Sequence, residues 1–190
     1  MKKIILSAAA LILVAGSTFA QTWSMDKAHS QVNFGITHMG INEIDGSFGT
    51  VSATLTSSKD DFSDGVVEFT ADMSSVNTGN EQRNNHLKSP DFFDAAKFAT
   101  LTFKSTSFKK VSDKTYQVSG DLTLHGVTKP VTLTATFNGT TVNPMNKKTI
   151  AGFKVTGTIK RTDFGIGANF PAGMVSDDVT LVANTEFVKG

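Results

Sequence analysis

The sequence contains no cysteine. Disulfides, a Cys-based zinc site, a thiol nucleophile and a lipid-modified N-terminal cysteine are therefore all excluded. Proline is scarce, at four residues, and Trp and Tyr occur once each. Charged residues fill only 18% of the 190 positions and form no Lys/Arg block. Such a chain shows no electrostatic footprint for nucleic acid or an anionic membrane. Beyond residue 20 no apolar run approaches the roughly 20 residues of a membrane span, so stable membrane insertion is not expected. Fifteen Phe with so little charge exclude disorder. The length fits one domain, since single cores divide beyond roughly 250–300 residues.

The first twenty residues stand apart. Lys2 and Lys3 precede an apolar stretch from Ile4 to Gly16, and Ser17-Thr18-Phe19-Ala20 suits cleavage after Ala20. This is the layout of a bacterial signal peptide, too short to serve as an anchor. Residues 21–190 are then the exported domain, expected in the periplasm. Of 18 Lys and Arg against 17 Asp and Glu, losing Lys2 and Lys3 leaves a single-charge acidic excess.

Period-two alternation governs the remainder. Val32, Phe34, Ile36 and His38 share one strand face. Val51, Ala53 and Leu55 repeat the pattern, as do Val67, Phe69, Ala71 and Met73. Later runs are clearer: Tyr116 to Leu124 and Val131 to Phe137 alternate with polar residues, Ala151, Phe153, Val155, Gly157 and Ile159 form another face, and Val179, Leu181, Ala183, Thr185 and Phe187 the last. One apolar and one solvated face mean an antiparallel sheet, and about eight such strands mean an all-β barrel or sandwich. Asp45-Gly46, Asp64-Gly65 and Asn138-Gly139 are expected turns, because these residues tolerate positive φ. Thr78-Gly-Asn-Glu81 matches a capping box and predicts a helix over 79–88, halted by Ser89-Pro90. With a further turn around Phe92 to Lys97, the helical insertion covers about residues 78–97 and should lie over the sheet or cap a barrel end.

Chemistry-bearing clusters are sparse. The four histidines, His29, His38, His86 and His125, lack the short-spaced pair common in zinc sites, so no metal is expected. Asp26, His29 and Ser30 lie close together, but neighbouring strand positions point oppositely and His29 cannot readily serve Ser30 as a base. No G-x-S-x-G elbow is present, and Gly165-Ile-Gly-Ala168 opens no helix that could cradle phosphate. No catalytic residue is assigned. Phenylalanine is the informative residue. Phe34, Phe69, Phe103, Phe137, Phe153 and Phe187 are core by strand parity. Phe92, Phe93, Phe98, Phe164 and Phe170 fall outside the alternation, and either plug the space beneath loops or line the mouth of a barrel. Arg161 continues the inward parity of Phe153 and Ile159, with Asp163 as its expected ion-pair partner. Alternatively, Arg161 or Arg83 presents its guanidinium to a polar ligand head.

Trp23-Ser-Met-Asp26-Lys-Ala-His29-Ser30, then Val32-Asn-Phe34, His38 and Gly46-Ser-Phe48, resemble the opening of the YceI-like family of lipid-binding proteins. Arg83-Asn-Asn-His86-Leu87-Lys-Ser89-Pro-Asp-Phe92-Phe93-Asp94, Gly120-Asp-Leu122-Thr-Leu124-His125-Gly126 and Arg161-Thr-Asp163-Phe164-Gly165 continue the match in the family's order. The resemblance implies a lipocalin-like antiparallel eight-stranded barrel. It further implies a periplasmic protein that sequesters or carries a polyprenyl or isoprenoid quinone-like chain, or another long-chain lipid, and needs no cofactor. Ligand-binding residues are then expected at Phe34, Ile36, His38, Phe48, Arg83, His86, Phe92, Phe93, Phe98, Leu101, Phe103, Leu124, Phe153, Arg161, Phe164 and Phe170. A homodimer is left open. The alternative is a small secreted enzyme of isomerase or esterase type acting on an apolar substrate in the same cavity, with His29, His38 and His86 as its best residues.

Overall fold

The computed structural model describes residues 20–190, so the expected leader lies outside the described residues apart from Ala20. Eleven strands follow: β1 (Gln21–Met25), β2 (Gln31–His38), β3 (Asn42–Phe48), β4 (Val51–Ser57), β5 (Val66–Asp72), β6 (Val76–Asn77), β7 (Thr100–Lys110), β8 (Thr115–Leu124), β9 (Val127–Val142), β10 (Thr149–Lys160) and β11 (Val175–Lys189). One α-helix, α1 (Glu81–Lys88), stands between β6 and β7.

These strands form eight staves, three of them broken. β1 and β2 both pair along β11, Met25 opposite Phe187 and Val32 opposite Ala183, on either side of an interruption at 26–30. β3 and β4 break at Gly49-Thr50, and β5 and β6 break at the 3-10 turn Met73–Ser75, yet their partners stay in sequence across each gap. Every pairing is antiparallel between consecutive staves, and β1 with β11 closes the circuit. The expected eight-stranded antiparallel barrel is what the chain forms. Closure leaves it without sheet edges to protect.

An up-and-down meander sorts the connections onto two ends. The 58–65 loop, the β7–β8 and β9–β10 turns, and the outer ends of β1 and β11 occupy one end. The β2–β3 and β8–β9 turns, the helical insertion and the 161–174 segment occupy the other.

Strand parity is as expected: Tyr116, Val118, Leu122 and Leu124 are buried, while Gln117, Asp121 and their alternates are not. Three local expectations are corrected. Asp45-Gly46 is no turn but lies within β3, where a Cβ on Gly46 would sit 2.2 Å from the Phe34 ring. The glycine lets that ring lie flat on the backbone. Asn138-Gly139 lies within β9 beside a register shift, with Gly139 at φ 131°, so here the glycine serves a bulge. The tight turn is instead His125-Gly126, both at positive φ. Finally, α1 is capped by Asn80, whose side chain accepts from the Arg83 amide, rather than by Thr78. Thr78 instead takes the Arg83 Nε–H on its hydroxyl at 2.8 Å.

Candidate functional site

Between the two ends the barrel encloses a cavity of about 170 Å³. Its wall draws on every broken stave and every long strand, including Val32, Phe34, Phe48, Phe69, Leu101, Phe103, Leu133, Phe153, Val155, Leu181 and Phe187. Only two of the lining residues are polar, Asn33 and Thr185. The Thr185 hydroxyl already donates to the Phe153 carbonyl at 3.3 Å. A surface of this kind has almost nothing to offer a polar solute. It rewards shape and hydrocarbon area.

The floor is a plug. Phe62, on the 58–65 loop, is 1% exposed and meets Trp23, Phe137 and Phe153 with ring centroids 5.2–5.3 Å away. The loop is tied down at both sides of that ring. The Tyr116 hydroxyl donates to the Asp61 carbonyl, and the Ser57 and Ser58 hydroxyls donate to the Asp64 carboxylate. Those hydroxyl donors hold the Asp64 carboxyl far below the usual carboxylate range.

The lid is built differently. Arg161 is 4% exposed, and its guanidinium donates to five backbone carbonyls: Ser176 (3.1 Å), Ile166 (2.9 Å), Gly167 (2.6 Å), Phe170 (2.6 Å) and Val175 (3.0 Å). The expected ion pair with Asp163 is therefore corrected, since among the described residues no salt bridge joins the two. A loop of irregular backbone leaves carbonyls unmatched, and the five-donor fork of arginine satisfies them in one plane. Phe92 stacks on Phe170 at 4.8 Å, and the His86 ring meets both edge-on.

Of the sixteen residues expected to bind ligand, the structure places Phe34, Phe48, Leu101, Phe103 and Phe153 on the cavity wall. Phe92, Phe93, Phe164 and Leu124 are buried, with Phe92 and Phe164 inside the lid. Phe98 packs on His125, whose Nδ1–H donates to the Phe164 carbonyl at 3.0 Å. Ile36 is half-buried and His38 is exposed at the end of β2. Arg83 and His86 lie away from the cavity: Arg83 is half-buried and donates to the Thr78 hydroxyl and carbonyl, and His86 packs on Phe92 and Phe170 and faces Asp91 at 3.2 Å. The rings outside the alternation thus close the barrel, while five of the six rings that parity assigns to the core surround the space and the sixth, Phe137, packs against Phe62 in the floor. Val32, Val67, Val131, Leu133, Val155 and Leu181 also form the wall; they are not among the sixteen expected residues, and their inward parity is the signal that marks them.

Among the described residues one group could hold a cation. Asp26, His29 and Glu186 bring ligand atoms within 4.8 Å of one another at the β1/β2 break. His29 is already engaged by Asp26 at 2.9 Å, an interaction that raises the imidazole pKa and lowers that of the carboxyl. Ser30 Oγ accepts from the Glu186 amide at 3.1 Å, and the Asp26 amide donates to the Glu186 carbonyl at 2.8 Å. The Asp26-His29-Ser30 segment stitches the interrupted stave to β11.

A closed barrel with an apolar interior, a helical lid and these motifs meets its counterpart in known proteins. The profile of the YceI-like domain matches residues 23–187. The chain belongs to the YceI-like family. Protein YceI of Escherichia coli O157:H7 is 39% identical over 193 residues, covering 100% of this chain and 99% of the relative. A Campylobacter jejuni YCEI crystal structure superposes with a TM-score of 0.72 at 29% identity, covering 81% of this YceI-like chain and 90% of that one. A polyisoprenoid binding domain from Saccharophagus degradans, implicated in plant cell wall breakdown, shares the fold at a TM-score of 0.65 and 17% identity, covering 88% and 98% of the two chains.

Proposed function

We propose that this YceI-like protein is a periplasmic carrier or store for a long isoprenoid-like lipid, a polyprenyl or isoprenoid quinone-like molecule, held without covalent chemistry. The observation that carries the reading is the closed barrel whose internal wall is hydrocarbon but for Asn33 and Thr185. The fold shared with a polyisoprenoid binding domain supports it. Burial offers roughly 0.8 kcal/mol per CH₂, so a twenty-carbon chain gains on the order of 10 kcal/mol gross. Lost ligand freedom offsets a large part and leaves micromolar or tighter binding. At about 170 Å³ the cavity is close to the roughly 150 Å³ that accepts one benzene ring. A long chain is therefore accommodated by outward rotation of partly buried wall residues such as Phe34, Phe48 and Leu181. Enzymatic turnover finds no base on the wall, because His29, His38 and His86 lie outside the lining among the described residues.

The test is organic extraction of purified protein and mass spectrometry of the extract, on wild type and on Val155→Phe/Leu181→Phe, which fills the cavity from two neighbouring strands. Wild type should release a stoichiometric isoprenoid species and take one up when stripped. The double variant should fold but carry less than a tenth as much. Equal lipid content in both proteins, or no lipid affinity in wild type, overturns the reading.

A further inference from the structure

Two neighbouring hairpins at the plugged end carry a feature that the cavity does not explain. The β7–β8 and β9–β10 turns lie at the same end of the barrel with β8 and β9 between them, and the first is tied to β9 where the Phe137 amide donates to the Lys114 carbonyl at 2.7 Å. On them lie Lys109, Lys110, Lys114, Lys147 and Lys148, all exposed, against one acid, Asp113. Lys110 meets Asp61 at 3.5 Å; among the described residues the other four lysines have no ion-pair partner. Between these cations stand apolar side chains where turns ordinarily carry polar ones: Met145 is 92% exposed, and Val111 and Val142 are each 55% exposed. β9 continues six residues past its last pair with β8, Thr115 opposite Thr136, so Met145 rides on the tip of a projecting hairpin. Scattered single apolar residues need no explanation, but apolar tips set among unpaired lysines match the composition of surfaces that settle onto anionic bilayers.

We propose that the lysine-rich tips of the β7–β8 and β9–β10 hairpins are a docking surface for a bilayer containing anionic phospholipid, with the lysines at the phosphates and Met145 just beneath the headgroups. The interaction is peripheral and reversible, and it does not depend on what the cavity holds. The lysines lie a strand pair apart in the chain and at one end of the barrel in the fold.

The closed circuit lies within residues 21–189, so the test uses protein starting at Gln21. It is sedimented with vesicles of phosphatidylcholine alone or with 30% phosphatidylglycerol. Binding should require phosphatidylglycerol and vanish in 0.5 M salt. Lys147→Gln/Lys148→Gln should weaken it about thirty-fold, the factor two such lysines supply. The matched pair Lys88→Gln/Lys97→Gln, at the lid end, should leave it unchanged. Absent binding, equal loss in both double variants, salt-insensitive binding to phosphatidylcholine, or equally tight binding of soluble dextran sulfate would each overturn the proposal.

Discussion

The barrel is sealed at one end by a ring and at the other by a cation. Phe62 closes its end through apolar contact, wedged among Trp23, Phe137 and Phe153 on an eight-residue loop. Arg161 closes the opposite end through hydrogen bonds, gathering carbonyls from 166 to 176 onto one guanidinium. The difference follows from loop length. A short loop presents little free backbone, so one inserted side chain seals it. A longer irregular segment brings unpaired carbonyls toward the interior, and each must find a donor or remain a cost. Dispersion gives a plug that yields gradually. A polar clamp holds or fails as a unit.

The largest effect should come from breaking the clamp. Arg161→Leu strands buried carbonyls and should cost about 4 kcal/mol. Arg161→Lys should recover only part, because an ammonium cannot serve five planar acceptors. Urea unfolding gives the cost, and limited proteolysis should show new cleavage between residues 161 and 174. If Arg161→Leu cost less than 1 kcal/mol, the lid would be held by its rings, Phe92 and Phe170, and the contrast between the two ends would collapse.

The strand framework is legible because one physical rule, the alternation of inward and outward side chains, runs along the long strands and is strictest in β8. The lid is not. Arg161 was correctly placed inward, but its nearest acid in sequence, Asp163, is not its partner; main-chain carbonyls, which every residue carries, leave no mark in a sequence. Asp45-Gly46 and Asn138-Gly139 misled for a related reason. Glycine frees a backbone for a turn, a bulge or a flat-lying ring, and the letter alone does not say which. The capping-box signal and Ser89-Pro90 locate the helical insertion, yet the cavity wall is built from strand residues rather than from the irregular phenylalanines. A barrel this narrow leaves its hollow where opposing strand side chains fail to meet, and that gap depends on the closed geometry rather than on local spacing.

Next in size is the plug. Phe62→Ala should cost about 3 kcal/mol, as expected for removing a fully enclosed aromatic ring. Phe34→Ala, on the partly exposed wall, should cost about 1 kcal/mol, because it enlarges a space that already exists. The two should also diverge in binding: Phe62→Ala lengthens the cavity and should admit longer chains, while Phe34→Ala should loosen retention. Equal destabilisation in thermal melts would mean that the floor and wall are packed alike.

The smallest effect sharpens the contrast through pH. Asp64 is held in its charged form by the Ser57 and Ser58 hydroxyls, so its folded-state pKa lies below the ordinary value of 3.8. A depressed carboxyl pKa stabilises the fold above the unfolded value, and that stabilisation fades as pH falls through the folded one. Asp64→Asn should thus cost about 1 kcal/mol at pH 6, the strength of charge-assisted bonds reduced by solvent screening. That deficit should shrink below about pH 4. A deficit for Asp64→Asn that stayed flat from pH 6 to pH 3 would show that the serine hydroxyls do not distinguish the carboxylate from the amide, and would leave the plug loop to Phe62 and the Tyr116 hydroxyl.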